Sequence, residues 1–151
     1  YSHNFGHNGP TDFFGVGING KISELQSGMG LSVLKYIDNI ISKRKQIFNF
    51  YKKELIDNYE MINLREGVTW NYAYTNIVVG KKSNLISLVE NLQNKGISSR
   101  RYFYPSLNKL NFVEETSCKF SEKLSQNILA LPMNYDLDEF TLMNIVKVLK
   151  S

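Results

Sequence analysis

The sequence is poor in the residues that stabilise small extracellular folds. It contains one cysteine, Cys118, so no disulfide can form within the chain, and this composition is typical of a reducing compartment. No apolar run approaches the roughly 18 residues of a membrane-spanning helix. Only 3 residues are proline and 42% are hydrophobic, which excludes a disordered tail or a fibrous repeat. We therefore predict a folded, cytoplasmic protein with a substantial core and no membrane partner.

The chain also lacks a large excess of charge of either sign. Its 18 lysines and arginines against 14 acidic residues give a net charge of +4 and a sequence pI near 9.1. The cations are dispersed, apart from short clusters at 43–45 and at Arg100–Arg101. Such mild basicity is typical of a solvated surface, so charge alone does not predict a nucleic-acid partner.

Hydrophobic periodicity predicts a long helix in the first third of the chain. Ser23 has the character of an N-cap, and Gln26 three residues later completes a capping box. Apolar residues then recur at helical spacing as far as about Ile56. The pattern fits either one long amphipathic helix or two helices with a break near Gly28–Ser32.

The remaining residues predict a small sheet with helices packed against it. Aromatic and β-branched stretches predict strands at 71–79, 97–104 and 128–132. Helical spacing predicts helices at 85–94, 118–127 and 138–149, the first ending at Gly96 and the last beginning at Asp138. The predicted fold class is therefore α/β, with an α+β small domain: a long helix followed by a small sheet with packed helices.

Gly15, Gly17 and Gly20 form a literal G-x-G-x-x-G, the spacing that holds a dinucleotide pyrophosphate. A dinucleotide site needs a buried strand before the glycines and a second strand about 20 residues later. Here polar residues precede the glycines and a helix follows them, so the context excludes that site. Lys21 is followed by Ile22, which also excludes a P-loop. What remains is a glycine-rich loop before a helix N-terminus, a position that favours an anion.

Other groups of polar residues give weaker evidence for a metal, catalytic or nucleotide site. His3, His7 and the distant Cys118 are too few and too scattered to predict a zinc site. Asp138 has an ordinary role as a helix N-cap, which leaves Asp136 without a paired carboxylate for acid–base catalysis. The segment Arg100–Pro105 joins two cations to three aromatic rings, a combination that suits a nucleotide as well as an edge strand.

The segment Gly17–Gln26 and the long helix after it resemble the DegT/DnrJ/StrS-type nucleotide-sugar aminotransferases, which are pyridoxal phosphate (PLP) enzymes of the aspartate aminotransferase fold. Further segments resemble that family in the same order and span essentially the whole chain: Asn4-Phe5-Gly6, residues 71–77, residues 97–105 and Leu131-Pro132-Met133. The ordered set is more specific than any one of its motifs.

The resemblance implies that this chain is the C-terminal portion of a PLP-transferase of fold type I. Residues 1–57 would be the active-site loop and the long interdomain helix, and residues 58–151 the C-terminal small α/β domain. None of the 14 lysines stands in the family's Schiff-base motif, which lies upstream of the Asn4-Phe5-Gly6 loop, and the first residue is Tyr1 rather than Met. We therefore expect a piece of a longer enzyme that is inactive alone.

The resemblance also implies site residues. Asn19 matches an asparagine that reaches the PLP phosphate of the neighbouring subunit, which implies a homodimer. Lys21, Tyr102 and Tyr104 match substrate-side positions, and no metal ligand is implied. The family's H-Y-x-P-x-H pattern is absent here, because Tyr102-Phe103-Tyr104-Pro105-Ser106-Leu107 has neither histidine. The stretch is more similar to the "Y-F-Y-P" branch, which acts on dTDP-linked 4-keto or 3-keto 6-deoxyhexoses.

The function implied by the resemblance is transfer of an amino group, with glutamate as the expected donor, to a keto-6-deoxy-sugar nucleotide for polysaccharide or glycan biosynthesis. One alternative is a non-enzymatic nucleotide or nucleic-acid binding module that uses the Arg100–Tyr104 patch. Another is a structural partner that survives as a pseudo-enzyme. Steep salt dependence of binding would indicate the nucleic-acid module.

Overall fold

Two helices follow the glycine-rich segment in a computed structural model that describes residues 8, 15, 17–18, 20–62, 65–80, 84–102, 104–110, 113–114 and 116–151. Helix α1 is Glu24–Leu34 and helix α2 is Ile37–Leu55. The predicted capping box is confirmed: the Gln26 N–H donates to Ser23 Oγ at 3.2 Å, and the Ser23 N–H donates to Gln26 Oε1 at 3.1 Å.

The helical stretch is divided in two, but the predicted position of the break is wrong. Gly28 and Gly30 both lie inside α1, and the break falls at Lys35 and Tyr36. There the Tyr36 N–H donates to the Val33 carbonyl at 2.9 Å, a tight bond that closes the last turn of α1. The chain divides into two compact units near this point, Tyr1–Asp38 and Asn39–Ser151. The domain division at residue 57 stays a prediction.

The second unit contains a three-stranded antiparallel sheet. Its strands are β1 (Glu60–Met61), β2 (Thr75–Val78) and β3 (Ile128–Leu131), in the order β1-β2-β3. Strand β3 is confirmed, β1 was not predicted, and β2 is shorter than the predicted strand 71–79. The strand begins late because the Ala73 N–H donates to Asn71 Oδ1 at 3.0 Å and Tyr72 has a φ of 51°. That local turn interrupts the extended backbone.

The predicted strand 97–104 is wrong. Among the described residues of this segment, only Arg100 pairs with the sheet, through an isolated antiparallel bridge to Ala130 on the outer edge of β3. The Arg100 N–H donates to the Ala130 carbonyl at 3.0 Å, and the Ala130 N–H returns a bond of 2.8 Å. Tyr102 already lies in a turn, so the ladder does not continue. Aromatic and β-branched composition favours extended backbone but does not supply a pairing partner.

Three further helices complete the second unit: α3 (Leu85–Asn94), α4 (Lys119–Asn127) and α5 (Glu139–Lys150). All three were predicted to within one residue at each end. Gly96 follows the C-cap of α3, and its φ of 72° fits a residue without Cβ. Asp138 is the N-cap of α5, and its Oδ1 accepts the Thr141 N–H at 2.8 Å. A 3-10 turn, Leu107–Lys109, precedes α4.

The core lies on one face of the sheet. Cross-strand neighbours Ile77 and Leu129 share this face, while Asn76 and Ala130 share the other. The first face packs against α2, α3 and α5. Its buried apolar side chains are Ile47, Tyr51, Leu55, Ile77, Val79, Leu85, Leu92, Leu129, Leu131, Leu142, Ile145, Val146 and Leu149.

Two tyrosines anchor this core by their hydroxyl groups. The Tyr51 hydroxyl donates to the Pro132 carbonyl at 3.2 Å, and the Tyr59 hydroxyl donates to the Leu149 carbonyl at 2.5 Å. Burial raises the pKa of both phenols, because a phenolate is poorly solvated there. Both side chains therefore act as neutral hydrogen-bond donors that join distant segments. Over the described residues, no helix is long and apolar enough to cross a bilayer.

Candidate substrate site

The glycine-rich loop carries the predicted cofactor-binding residue. Asn19 lies outside the described residues, as do His3 and His7. Of its neighbours, Gly17 is half-buried, whereas Ile18, Gly20 and Lys21 are exposed. The Lys21 ammonium therefore belongs to an accessible segment immediately before α1, where a compact cation can meet a phosphate.

The N-terminus of α1, which follows this loop, is already capped by side chains of the same segment. The capping box satisfies the Gln26 N–H with Ser23 Oγ, and Glu24 places a carboxylate in the first turn of α1. A negative side chain and a filled cap both oppose binding of an external anion at these amides. Any phosphate held by this loop would therefore depend on loop side chains such as Asn19 and Lys21. Amide and ammonium donors fit the phosphate end of PLP.

The two predicted substrate-binding tyrosines lie in different environments. Tyr102 is half-buried and lies 5.6 Å from Tyr74, centroid to centroid, with the rings nearly perpendicular at 87°. Tyr104 is 54% exposed and is not among the described residues that line the cavity beside Tyr102. The structure thus makes Tyr102 part of a wall and leaves Tyr104 on the surface.

Each tyrosine is paired with one of the two neighbouring arginines. The Arg100 guanidinium lies 5.5 Å from the Tyr102 ring centroid and donates a hydrogen bond from Nη1 to the Tyr102 hydroxyl. The Arg101 guanidinium lies 3.9 Å above the Tyr104 ring. These are cation–π arrangements, so both cations of the Arg100–Tyr104 patch already have a partner within the chain.

A cavity of about 400 Å³ lies beside Tyr102, between α4, the 105–108 segment and the sheet face that carries Asn76. Such a volume suits a small organic ligand. The lining residues are neutral: Tyr74, Asn76, Tyr102, Pro105, Ser106, Leu107, Asn108, Cys118, Ser121, Leu124, Ser125 and Ile128.

A hydrogen-bond network holds the segments at one end of the cavity together. The buried Asn108 amide donates from Nδ2 to the Thr116 carbonyl at 2.6 Å and to Glu122 Oε1 at 2.7 Å. Glu122 Oε1 also accepts the Cys118 N–H at 3.0 Å, and Lys109 Nζ lies 3.9 Å from it. The Cys118 N–H, the Asn108 amide and the lysine charge all lower the pKa of Glu122. The ionised carboxylate thus joins the 3-10 turn to α4.

Sequence reasoning missed Asn76, Asn108 and Cys118 as cavity residues. Asn76 carried a usable signal, because its amide side chain stands beside the apolar residues Ile77 and Val78 of β2. Asn108 and Cys118 carried none, because their proximity depends on the turn at Leu107–Lys109 and on the start of α4. The glycine-rich loop belongs to the first unit and the cavity to the second.

Comparison with known proteins decides the family. The family model described as "DegT/DnrJ/EryC1/StrS aminotransferase family" matches residues 1–150. The chain belongs to the DegT/DnrJ/EryC1/StrS aminotransferase family. This confirms the resemblance seen in the segment Gly17–Gln26.

A curated relative of the family is dTDP-4-amino-4,6-dideoxy-D-glucose transaminase of Escherichia coli, which is 31% identical over 157 residues. The match covers 97% of this chain and 42% of the relative, so the chain spans about two fifths of the length of that enzyme. The corresponding enzyme of Shigella dysenteriae is 30% identical, with the same coverage.

Solved structures of other proteins share the fold of this chain. A DegT DnrJ EryC1 StrS aminotransferase from Brucella abortus superposes with a TM-score of 0.81 at 24% identity, covering 97% of this chain and 40% of that protein. E. coli GDP-4-keto-6-deoxy-D-mannose-3-dehydratase, solved with bound hydrated PLP, gives a TM-score of 0.70 at 20% identity, covering 92% and 38%. The predicted fold class is therefore confirmed.

Proposed function

We propose that this chain is the C-terminal portion of a PLP-dependent aminotransferase that acts on a nucleotide-linked keto-6-deoxy-sugar. The observation that carries the proposal is the family match over residues 1–150, together with 31% identity to a dTDP-amino-sugar transaminase. Glutamate is the proposed amino donor, and polysaccharide or glycan biosynthesis the proposed destination of the product.

In this proposal the chain supplies binding groups and the remainder of the enzyme supplies the Schiff-base lysine. PLP, when bound, provides the electron sink that amino transfer requires. Asn19 and Lys21 offer an amide and an ammonium to a phosphate from the loop before α1, and in a homodimer that phosphate belongs to the partner subunit. Tyr102 forms an aromatic wall for the substrate, and Tyr104 a more exposed contact at its edge.

The direct test compares this chain with the longer protein that contains it. The longer protein, mixed with PLP, should show a visible cofactor band that glutamate bleaches, and the 151-residue chain alone should show no transamination. A longer protein that is folded but gives no such band would refute the aminotransferase proposal. Transamination by the 151-residue chain alone would refute the proposal that the chain is inactive without the remainder.

The role of Asn19 is tested in the same longer protein. Asn19→Ala should weaken PLP retention during dialysis because one phosphate donor is lost, and Lys21→Ala should have a smaller effect of the same kind. Asn94→Ala, at an exposed position at the end of α3, is the matched control and should retain PLP like the parent. Equal retention by Asn19→Ala and Asn94→Ala would remove Asn19 from the phosphate site.

A second candidate function is a nucleotide or nucleic-acid binding module based on Arg100–Tyr104. One observation favours it: among the described residues, Arg101 Nε is buried without a hydrogen-bond partner, next to the exposed ring of Tyr104. The guanidinium offers a positive charge to a phosphate, and the exposed Tyr104 ring offers surface on which a base can stack. Binding of single-stranded DNA that weakens steeply with salt, with Tyr104→Ala abolishing it, would support this function.

A further inference from the structure

Both polar atoms of the buried Asn108 side chain are engaged in hydrogen bonds. Its Oδ1 accepts the Ser106 hydroxyl at 2.6 Å, and its Nδ2 donates to the Thr116 carbonyl at 2.6 Å and to Glu122 Oε1 at 2.7 Å. A primary amide has two donor hydrogens and one carbonyl oxygen, so each of these groups has a partner. The side chain is therefore held in one orientation, between the 3-10 turn Leu107–Lys109 and α4.

The side chain of Asn108 ties this turn to α4. The backbone bond within the turn is local, because the Lys109 N–H donates to the Ser106 carbonyl at 2.8 Å. A local bond fixes the shape of a turn but not its distance from a helix further along the chain. The bond from Asn108 Nδ2 to Glu122 Oε1 spans that distance, and a carboxylate acceptor makes it stronger than a bond between neutral groups. Lys109 Nζ lies 3.9 Å from the same oxygen, in a partly exposed ion pair that adds little.

Both segments joined by this bond line the cavity beside Tyr102. Residues 105–108 line it from the turn, and Ser121, Leu124 and Ser125 line it from α4. The separation of the two segments, and with it the width of the cavity at this end, therefore depends on the bond between Asn108 and Glu122. In the part of the chain that the structure describes, neither α4 nor the turn contributes a side chain to the buried apolar core. Loss of the bond should therefore move this wall without unfolding the second unit.

We propose that Asn108 and Glu122 are positioning residues of the aminotransferase, whose bond holds residues 105–107 at the distance from α4 that a nucleotide sugar requires. The inference rests on the proposed function, in which the neighbouring Tyr102 contacts that substrate. Neither residue takes part in the transfer of the amino group itself. The bond should therefore affect binding of the sugar nucleotide, whereas the response to glutamate, which has no nucleotide, should not depend on it.

The test uses the longer protein loaded with PLP and follows the loss of its visible cofactor band with two amino donors. One donor is glutamate, and the other is dTDP-4-amino-4,6-dideoxy-D-glucose, the amino sugar in the names of the two curated relatives. In Glu122→Ala the half-saturating concentration of the amino sugar should rise about tenfold, the order expected when a hydrogen bond to a charged group is lost. The half-saturating concentration of glutamate, and the maximal rates with both donors, should stay within about twofold of the parent values.

Further variants separate positioning from support of the helix start. Glu122 Oε1 also accepts the Cys118 N–H at 3.0 Å at the beginning of α4. Asn108→Ala leaves that bond in place and should raise the half-saturating concentration of the amino sugar by the same factor as Glu122→Ala. The double variant should be no worse than either single variant, because both remove one shared bond. Glu122→Gln keeps an oxygen that can accept both donors, so it should return the value to within about threefold of the parent.

The matched control is Glu90→Ala, the same substitution at an exposed position of α3 that does not line the cavity. It should respond to both amino donors like the parent. Equal amino-sugar responses of Glu122→Ala and Glu90→Ala would overturn the proposal. A parallel loss of both donor responses in Glu122→Ala would also overturn it, because a general structural defect affects both donors.

Failure of the proposed function has a different signature. A folded longer protein without a cofactor band refutes the aminotransferase itself. A longer protein that responds to glutamate but not to the dTDP-linked amino sugar would leave the aminotransferase and overturn the positioning role for this substrate.

Discussion

Helices α1 and α5 are nearly equal in length, at 11 and 12 residues, and each begins at a polar N-cap that the sequence identifies. None of the residues of α1 is buried, whereas α5 buries Leu142, Ile145, Val146 and Leu149. The four buried positions follow the i, i+3, i+4, i+7 spacing that places side chains on one face. In α1 the apolar residues are distributed around the helix. A capping signal therefore predicts where a helix begins, but apolar spacing decides whether the helix joins a core.

The strongest test of this contrast deletes one apolar side chain from each helix. Ile145→Ala should lower the free energy of unfolding by about 2–5 kcal/mol, because it removes a buried side chain and leaves a cavity. Leu25→Ala in α1 should change it by less than about 0.5 kcal/mol, because Leu25 is 75% exposed. Urea unfolding of the 151-residue chain, followed by circular dichroism, measures both. Equal losses for the two variants would contradict the contrast.

Glycine content offers a second, smaller test. Gly28→Ala and Gly30→Ala should each stabilise the helical state of α1 by up to about 1 kcal/mol, because alanine restricts the unfolded chain more than glycine does. An added Cβ meets no atom within 4 Å at either position. Hydrogen exchange of the α1 amides measures the gain as slower exchange.

The control for the glycine test is Gly96→Ala in the second unit. Gly96 has a φ of 72°, so the same substitution there should destabilise the end of α3. If Gly28→Ala and Gly30→Ala left exchange unchanged, α1 would be limited by something other than helix propensity.

The smallest expected effect is a difference in pH dependence between the N-caps of α5 and α1. Hydrogen bonds from the Thr141 side chain and backbone N–H lower the pKa of Asp138, the cap of α5, whereas the Ser23 hydroxyl that caps α1 does not titrate. A lowered folded pKa contributes stability that is complete above the unfolded pKa of about 4 and is lost as pH falls through the folded pKa. Acidification should therefore weaken α5 and the Glu122 network before it affects the α1 cap.

The measurement is the urea midpoint of the second unit's unfolding between about pH 3 and pH 7. Asp138→Asn keeps a good capping group but removes the charge change, so its midpoint should fall less on acidification than that of the parent. Glu122→Gln should likewise reduce the fall of the urea midpoint on acidification. An acid dependence unaltered in both variants would show that other carboxyls are responsible.

Elements that depend on interactions between neighbouring residues were predictable from the sequence. Elements that depend on residues far apart in the chain were not. Helices α3 and α5 were predictable because Asn84, Gly96 and Asp138 act within one turn of their own positions. Helix α4 was predictable from its helical spacing alone, without a side-chain cap. The strand at 97–104 was not, because pairing depends on the distant Ala130, and of the segment's described residues Arg100 alone reaches it. Strand β2 was shortened by a φ of 51° at Tyr72, which composition does not reveal.

The candidate site likewise contains residues that were predicted from the sequence and residues that were not. Tyr102 was predictable from a family segment, and its place in the cavity agrees with a substrate-side role that stays a prediction. Asn76 was not selected, although its polar side chain beside Ile77 and Val78 in β2 was a usable signal. The prediction for Asn19 falls outside the described residues.

The hydroxyl bonds of Tyr51 and Tyr59 have a consequence for synthesis on the ribosome. They join positions 81 and 90 residues apart, so the Tyr51 bond cannot form until β3 has left the exit tunnel, and the Tyr59 bond cannot form until α5 has left it. A chain synthesised from its amino end carries α2 and β2 with their apolar faces uncovered during that interval. Contacts of this separation slow folding and expose aggregation-prone surface. The bond from Tyr59 to Leu149 therefore forms late in synthesis, well after α2 and β2 have been made.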